Sequence, residues 1–281
     1  MSQNTHDTTP TRFVEAGIRF AYRRFGNGKG LPLLFCQHFT GTMDGWDPKL
    51  TNTLAEDREV ILFDNAGVGS SGGETPESVQ AMTSDALAFV DALGLKRIDL
   101  LGFSLGGMIA QQLVLDRPAL VRRLILTGTG PEGGEGIDLG LPPSSVVLAD
   151  RSLSTLERQL RLFFAPSATS QDAGRAFYER RTKRKSEGDP SPNPIVARAQ
   201  ATAIKAWGQP SGKRYARLKE IRQPVLVFNG INDVMIPTIN SYILARHLPD
   251  ARLVLYPDAG HGALFQYPEQ FCAQAKLFLG S

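Results

Sequence analysis

The chain predicts an α/β fold: a mostly parallel, doubly wound sheet with a helical cap inserted after the sixth strand. Two observations carry this. Short apolar runs bounded by Gly, Pro or polar residues alternate with amphipathic helical patterns, and the alternation stops between about residues 131 and 215, where helical patterns continue without a buried strand. Strands separated by helices need right-handed crossovers, which leave helices on both faces of a parallel sheet.

The apolar runs at residues 31–36, 59–63, 98–101, 124–127, 225–228 and 253–256 read as buried strands. Helical patterns occupy 79–93, 105–115, 239–248 and 268–279. Residues 13–15 and 18–24, joined near Gly17, read as a leading hairpin that adds antiparallel strands at one edge, so 124–127 is the sixth strand. The expected organisation is a frayed tail over 1–10, a core over 11–130 and 217–281, and a cap over 131–216, with helices at 154–163 and 173–184. Arg175, Arg180, Arg181, Lys183, Arg184 and Lys185 crowd the second of these, and their reading is a solvated helix face rather than an anion-binding surface.

A chain of 281 residues can bury a large core, and 42% hydrophobic against 21% charged residues argues against disorder. The 31 basic and 28 acidic residues balance too closely to imply a nucleic-acid partner. The first ten residues have neither a basic start nor an apolar run, and no stretch reaches the roughly 18 apolar residues of a spanning helix, so neither a secretory signal nor a membrane partner is expected. Cys36 and Cys272 are too few for a disulfide framework and read as buried inert thiols in a reduced, cytoplasmic setting.

The chemistry centres on Gly102-Phe103-Ser104-Leu105-Gly106, where a buried strand runs directly into a helical pattern. A sharp strand-to-helix turn exposes the serine hydroxyl and sets it at a helix N-terminus, where amides and the helix dipole favour developing negative charge. Gly69-Ser70-Ser71-Gly72-Gly73 fits the same pattern, but a turn sequence follows it, so Ser104 is preferred to Ser71. A serine nucleophile needs a base. Of four histidines, His6 lies in the tail, His247 near a helix end and His38 after a strand, where it can pack or bond locally; His261 sits in a loop directly after the last strand and is the candidate. The acid that orients it is assigned to Asp233, which follows a buried strand through a glycine turn, ahead of Glu132 in a glycine-rich linker and Asp258 in a turn.

Serine, acid and histidine in that order, each just after a successive buried strand, resemble the α/β-hydrolase family over nearly the whole chain. Residues 64–70 are similar to the family's turn after its fourth strand, and 33–41 to its oxyanion loop, with Gln37-His38 where family members usually carry His-Gly. That resemblance implies an oxyanion hole formed by the amides of Phe39 and Leu105, and a serine hydrolase that acts on a small-molecule acyl substrate, a carboxylic ester foremost. Lactone, thioester, carbon–carbon and perhydrolase chemistry use the same residues and stay open, as do a ligand-binding receptor and a cofactor-free lyase or oxygenase. Phe39, Trp46 and Phe103 from the core, with Phe163, Phe164 and Trp207 from the cap, are expected to line an apolar pocket, against the plainer reading of each as core packing. No cofactor or metal is expected: two dinucleotide-like patterns, at 67–72 and 128–133, open no helix, and no His or Cys spacing suits a metal.

Overall fold

A computed structural model describes residues 5–137, 144–184, 188–190 and 193–280. Its centre is an eight-stranded sheet: β1 (Arg12–Ala16), β2 (Ile18–Gly26), β3 (Leu33–Cys36), β4 (Glu59–Phe63), β5 (Ile98–Phe103), β6 (Val121–Thr127), β7 (Val225–Gly230) and β8 (Ala251–Tyr256). The spatial order is β1-β2-β4-β3-β5-β6-β7-β8. The β1–β2 and β2–β4 pairs are antiparallel, as the leading hairpin requires, and the remaining pairs are parallel. The chain steps from β3 to β4, then crosses back to place β5 on the other side of β3. The carboxyl ends of β3 and β5 therefore flank the point where the strand order reverses, the usual position of a ligand crevice in such sheets.

Every residue of β3, β5 and β7 is buried, so these strands read as continuous apolar runs. Two apolar clusters fill the two faces. One packs α2 (Val79–Ala92), α3 (Leu105–Asp116) and α8 (Ile239–His247) on the sheet through residues such as Phe89, Met108 and Leu244. The other packs α1 (Pro48–Ala55) and α10 (Pro268–Gly280) through Trp46, Leu54 and Phe271, with the short α9 (Ala263–Gln266) beside them. Between β6 and β7 lie α4 (Ser144–Ala149), α5 (Thr155–Phe163), α6 (Ala168–Arg181) and α7 (Pro194–Trp207). Ser154 opens α5 with a capping box, its hydroxyl accepting from Glu157 N while the Glu157 carboxylate accepts from Ser154 N. Asn193 caps α7 and Pro194 starts it. Among the described residues no helix is long and apolar enough to cross a membrane. Both cysteines are buried and unpaired, and burial pushes each thiol up to about 12.

Two expectations need correction. Residues 5–10, expected to fray, are packed: His6 N donates to Asn52 Oδ1 at 2.7 Å, His6 Nδ1 lies 2.9 Å from Thr51 Oγ1, and Arg184 donates to the carbonyls of His6, Asp7 and Thr9. The basic stretch of the insertion also fails to form a wholly solvated face. Arg180 ion-pairs with Asp47 at 2.6 Å, Arg184 turns onto the N-terminal segment, and Arg181 points into the cavity described below, while Lys185 falls outside the described residues. The reason is common to both: buried acceptors, the Asp47 carboxylate and the carbonyls of His6, Asp7 and Thr9, must be met by donors, and Arg180 and Arg184 meet them.

Burial pushes the His6 imidazole from 6.5 down to about 3, with Arg23 and Arg184 adding to the effect. An unfolded chain therefore takes up this proton at higher pH than the folded one. The contribution of neutral His6 to stability is whole above its unfolded value and is lost as pH falls towards the folded one, by up to about 1.4 kcal/mol per pH unit. Replacing His6 with asparagine is expected to make urea-unfolding stability fall less steeply than in the wild type between about pH 6 and about pH 4. Parallel stability curves for the two proteins would show that His6 is not desolvated in this way.

Candidate active site

Ser104 joins β5 to α3 with φ 56° and ψ −119°, a conformation that L side chains rarely adopt. Its backbone holds the turn, since Ser104 N donates to Thr127 O at 2.9 Å and its carbonyl accepts from Thr129 Oγ1 at 2.8 Å. The two flanking glycines are required by contact. A Cβ on Gly106 would sit 2.0 Å from Cys36 O, and one on Gly102 would sit 2.4 Å from Gly106 O. The alternative serine is otherwise engaged: Ser71 Oγ donates to Asp64 O at 2.8 Å and accepts from Ala21 N at 2.9 Å, stapling the turn after β4 to β2.

His261 and Asp233 come from the loops after β8 and β7. Gly230 brings these loops together, because a Cβ there would lie 2.2 Å from Ala259 O, and Asn232 N donates to the same carbonyl at 2.9 Å. His261 Nδ1 then lies 2.8 Å from Asp233 Oδ2, with both side chains buried. Asp233 is itself fixed: Oδ1 accepts from Met235 N at 2.8 Å and Ile236 N at 2.9 Å, and Oδ2 also accepts from Asn229 Nδ2 at 3.2 Å. Asn229 lies inside a buried strand, where no motif marks it as a site residue. The rival acids have other partners, Glu132 an ion pair with Arg217 at 2.8 Å and Asp258 the hydroxyl of Ser167 at 2.7 Å.

The imidazole is boxed by rings. Phe103 lies 4.9 Å from the His261 centroid and Phe163, at the end of α5, meets it edge-on at 5.4 Å. The insertion is tied to this loop by the main chain as well, Gly262 N donating to Phe163 O at 2.7 Å.

Ser104 and His261 open on one cavity of about 330 Å³, which Phe39 also lines. Among the described residues Ser104 Oγ has no hydrogen-bond partner, and neither Phe39 N nor Leu105 N has an acceptor in the protein. Leu105 N is free because it opens α3, where the first amides have no intrahelical partner. Phe39 N is free because its loop is held by its neighbours. His38 N donates to Gln37 Oε1 at 2.8 Å, Gln37 Nε2 to Thr42 O at 2.5 Å and Thr40 N to Gln200 Oε1 at 2.6 Å. Gln37 thus braces the loop from within, and Thr40 sits in the left-handed region with φ 54°, a strained position for a β-branched residue. Leu105 follows Ser104 and Phe39 lines the same cavity, so each amide is a candidate donor to an oxyanion.

The expected pocket is only partly found. Phe39 and Phe163 line the cavity, whereas Trp46 and Phe103 lie beneath it as fully buried core and Phe164 packs on Phe177 at 6.1 Å. Trp207 borders a different cavity and donates through Nε1 to Gly130 O at 3.1 Å. These four are large, and a large aromatic ring is stabilised more by complete burial than by lining a wet cleft. The wall also holds polar groups that hydrophobic patterning could not reveal, among them Asp44, Gln159, Arg181 and Asp189.

A solved structure of an alpha/beta hydrolase fold protein from Chitinophaga pinensis superimposes with a TM-score of 0.93 and 44% identity, over 99% of this chain and 100% of that one. The pimeloyl-[acyl-carrier protein] methyl ester esterase of Nitrosomonas europaea is 32% identical over 255 residues, 88% of this chain and 94% of the relative. RutD of Rhizobium rhizogenes, provisionally named a carbamate hydrolase, is 30% identical over 248 residues, 85% of this chain and 88% of the relative. A family model for the alpha/beta hydrolase fold matches residues 32–268, and the chain belongs to that family of hydrolases.

Proposed function

We propose that the protein is a serine hydrolase that cleaves a small to medium carboxylic ester through an acyl-enzyme intermediate, with the helices between β6 and β7 acting as the cap over its acyl site. One arrangement carries the reading: Ser104, at a strained strand–helix turn, shares a cavity with His261, whose Nδ1 is bonded to Asp233 at 2.8 Å. Ser104 Oγ adds to the carbonyl carbon while His261 Nε2 takes its proton, and the carbonyl electron pair moves onto an oxygen that accepts from Phe39 N and Leu105 N. Collapse expels the alcohol, which takes the proton back from His261 Nε2. Water then repeats the two steps, leaving as the acid and restoring Ser104.

None of these steps draws on a metal or organic cofactor. The protein is expected to turn over activated esters such as p-nitrophenyl butyrate with nothing added and at an unchanged rate in EDTA, and a fluorophosphonate is expected to label Ser104. Activity lost in EDTA and restored by a metal, or folded protein that resists labelling, would overturn the reading. The names of the two curated relatives support including a methyl ester and a carbamate in the substrate panel.

A further inference from the structure

Two arginines stand in the wall of the Ser104 cavity, and they differ in what satisfies them. Arg158 donates to the carbonyls of Val147, Leu148, Asp150 and Leu153, closing the end of α4. Arg181, on the last turn of α6, has no carboxylate within ion-pairing distance among the described residues, although its neighbour Arg180 is paired with Asp47. Its hydrogen bond runs from Nη1 to Gln159 Oε1 at 3.0 Å. A guanidinium can only donate, so that bond fixes the orientation of the Gln159 amide and leaves its Nε2 as the other donor. Gln159 Nε2 is buried and has no partner. One cavity wall therefore presents a partly buried cation without a paired carboxylate and, next to it, an amide donor without an acceptor.

The carboxylates of the same wall do not supply it. Asp44 and Asp189 are both bonded to Arg23, and Asp44 also lies 3.8 Å from Arg184, so their charge is met by arginines outside the wall. Burial pushes the Arg181 guanidinium below its ordinary value, as expected of a cation held out of water with too little opposite charge.

We propose that the substrate carries a carboxylate apart from its scissile bond and that Arg181, with Gln159 Nε2 beside it, binds that carboxylate. This rests on the reading of Ser104 as the nucleophile, since it is the same cavity that must hold the acyl group. A planar monoanion suits a guanidinium fork and an amide donor.

The test compares mono-p-nitrophenyl esters of glutarate, adipate and pimelate with their neutral methyl p-nitrophenyl counterparts, after subtraction of uncatalysed hydrolysis. At least one anionic ester is expected to exceed its neutral counterpart in kcat/KM by about tenfold or more. Arg181→Met, which keeps the apolar stem, is expected to lose that preference while the neutral esters and fluorophosphonate labelling change by less than about twofold, and Arg181→Lys to recover part of it. No preference for any anionic ester, or an equal loss for charged and neutral esters in a folded Arg181→Met, would overturn the proposal. Failure of the nucleophile reading shows separately, as absence of labelling at Ser104. Calorimetric titration of Ser104→Ala with monomethyl and dimethyl adipate then still decides: tighter binding of the monoanion, lost in the Arg181→Met double variant, supports the carboxylate site, and equal binding rejects it.

Discussion

Replacing Ser104 by alanine is expected to lower kcat for activated esters by about 10⁴-fold or more, with thermal stability nearly unchanged. The size follows from what is removed, the oxygen that forms the acyl enzyme in the proposed mechanism, while the free amides of Phe39 and Leu105 and the cavity remain. The intact fold follows from how the turn is held. Its strained φ of 56° is enforced by the backbone bonds of Ser104 to Thr127 and Thr129, and the hydroxyl contributes no hydrogen bond within the described residues. Alanine bears the same strain as serine there. Ser71→Ala gives the contrast: it strands Asp64 O and Ala21 N, so it should cost about 1 kcal/mol of stability and little kcat. Circular dichroism melts beside steady-state rates separate the two. A Ser104→Ala protein that keeps its rate, or a Ser71→Ala protein that melts normally but has lost it, would move the nucleophile to the other turn.

The sheet was legible because its central strands, β3, β5 and β7 above all, are buried on both faces, which makes them short continuous apolar runs, and because the turns between strands carry glycine, proline and asparagine. All eight strands fall where the patterning put them. The helices were read less completely. Neither α1, with Pro48 at its start, nor α7 was recognised, although both begin with a side-chain cap followed by proline: Asp47 accepts from Lys49 N at 2.9 Å and Asn193 from Ile195 N at 2.9 Å. A cap followed by proline is a helix-start signal that apolar patterning alone does not register. Arg180, Arg181 and Arg184 looked like a solvated face because charge density in a sequence does not show which buried acceptors lie opposite. The acceptors here, Asp47 and the carbonyls of His6, Asp7 and Thr9, are more than 130 positions away along the chain.

The candidate site divides in the same way. Ser104, His261 and Asp233 were visible because each follows a strand, and chain order and turn chemistry are local properties. The cavity wall was not, since it is assembled from the loop after β3 and from helices α5 and α6, and residue type alone assigned it to aromatic rings. Gln37 is an instructive case. Its substitution for the usual histidine looked like a local departure, but its side chain accepts from His38 N and donates to Thr42 O, and so holds open the amide of Phe39.

Replacing Asp233 by asparagine is expected to lower kcat by about 10³- to 10⁴-fold while leaving KM close to that of the wild type. The surroundings of Asp233 dictate which way the new amide must face. Oδ1 accepts from two backbone amides, Met235 N and Ile236 N, so the asparagine carbonyl takes that place and its NH₂ takes the place of Oδ2. The NH₂ then points at His261 Nδ1, which can no longer donate to it and must accept instead. The ring is driven to the tautomer protonated at Nε2, and that nitrogen cannot take a proton from Ser104. Asn229 cannot relieve this by turning over, because its Oδ1 already accepts from Gly230 N at 2.9 Å. Glu132→Gln, by contrast, only weakens a surface pair with Arg217 and is expected to leave kcat within about twofold. Pre-steady-state burst kinetics place the loss, since a slower acylation phase with unchanged KM is what a wrong tautomer produces. A near-normal burst in Asp233→Asn together with its disappearance in Glu132→Gln would transfer the acid to the turn after β6.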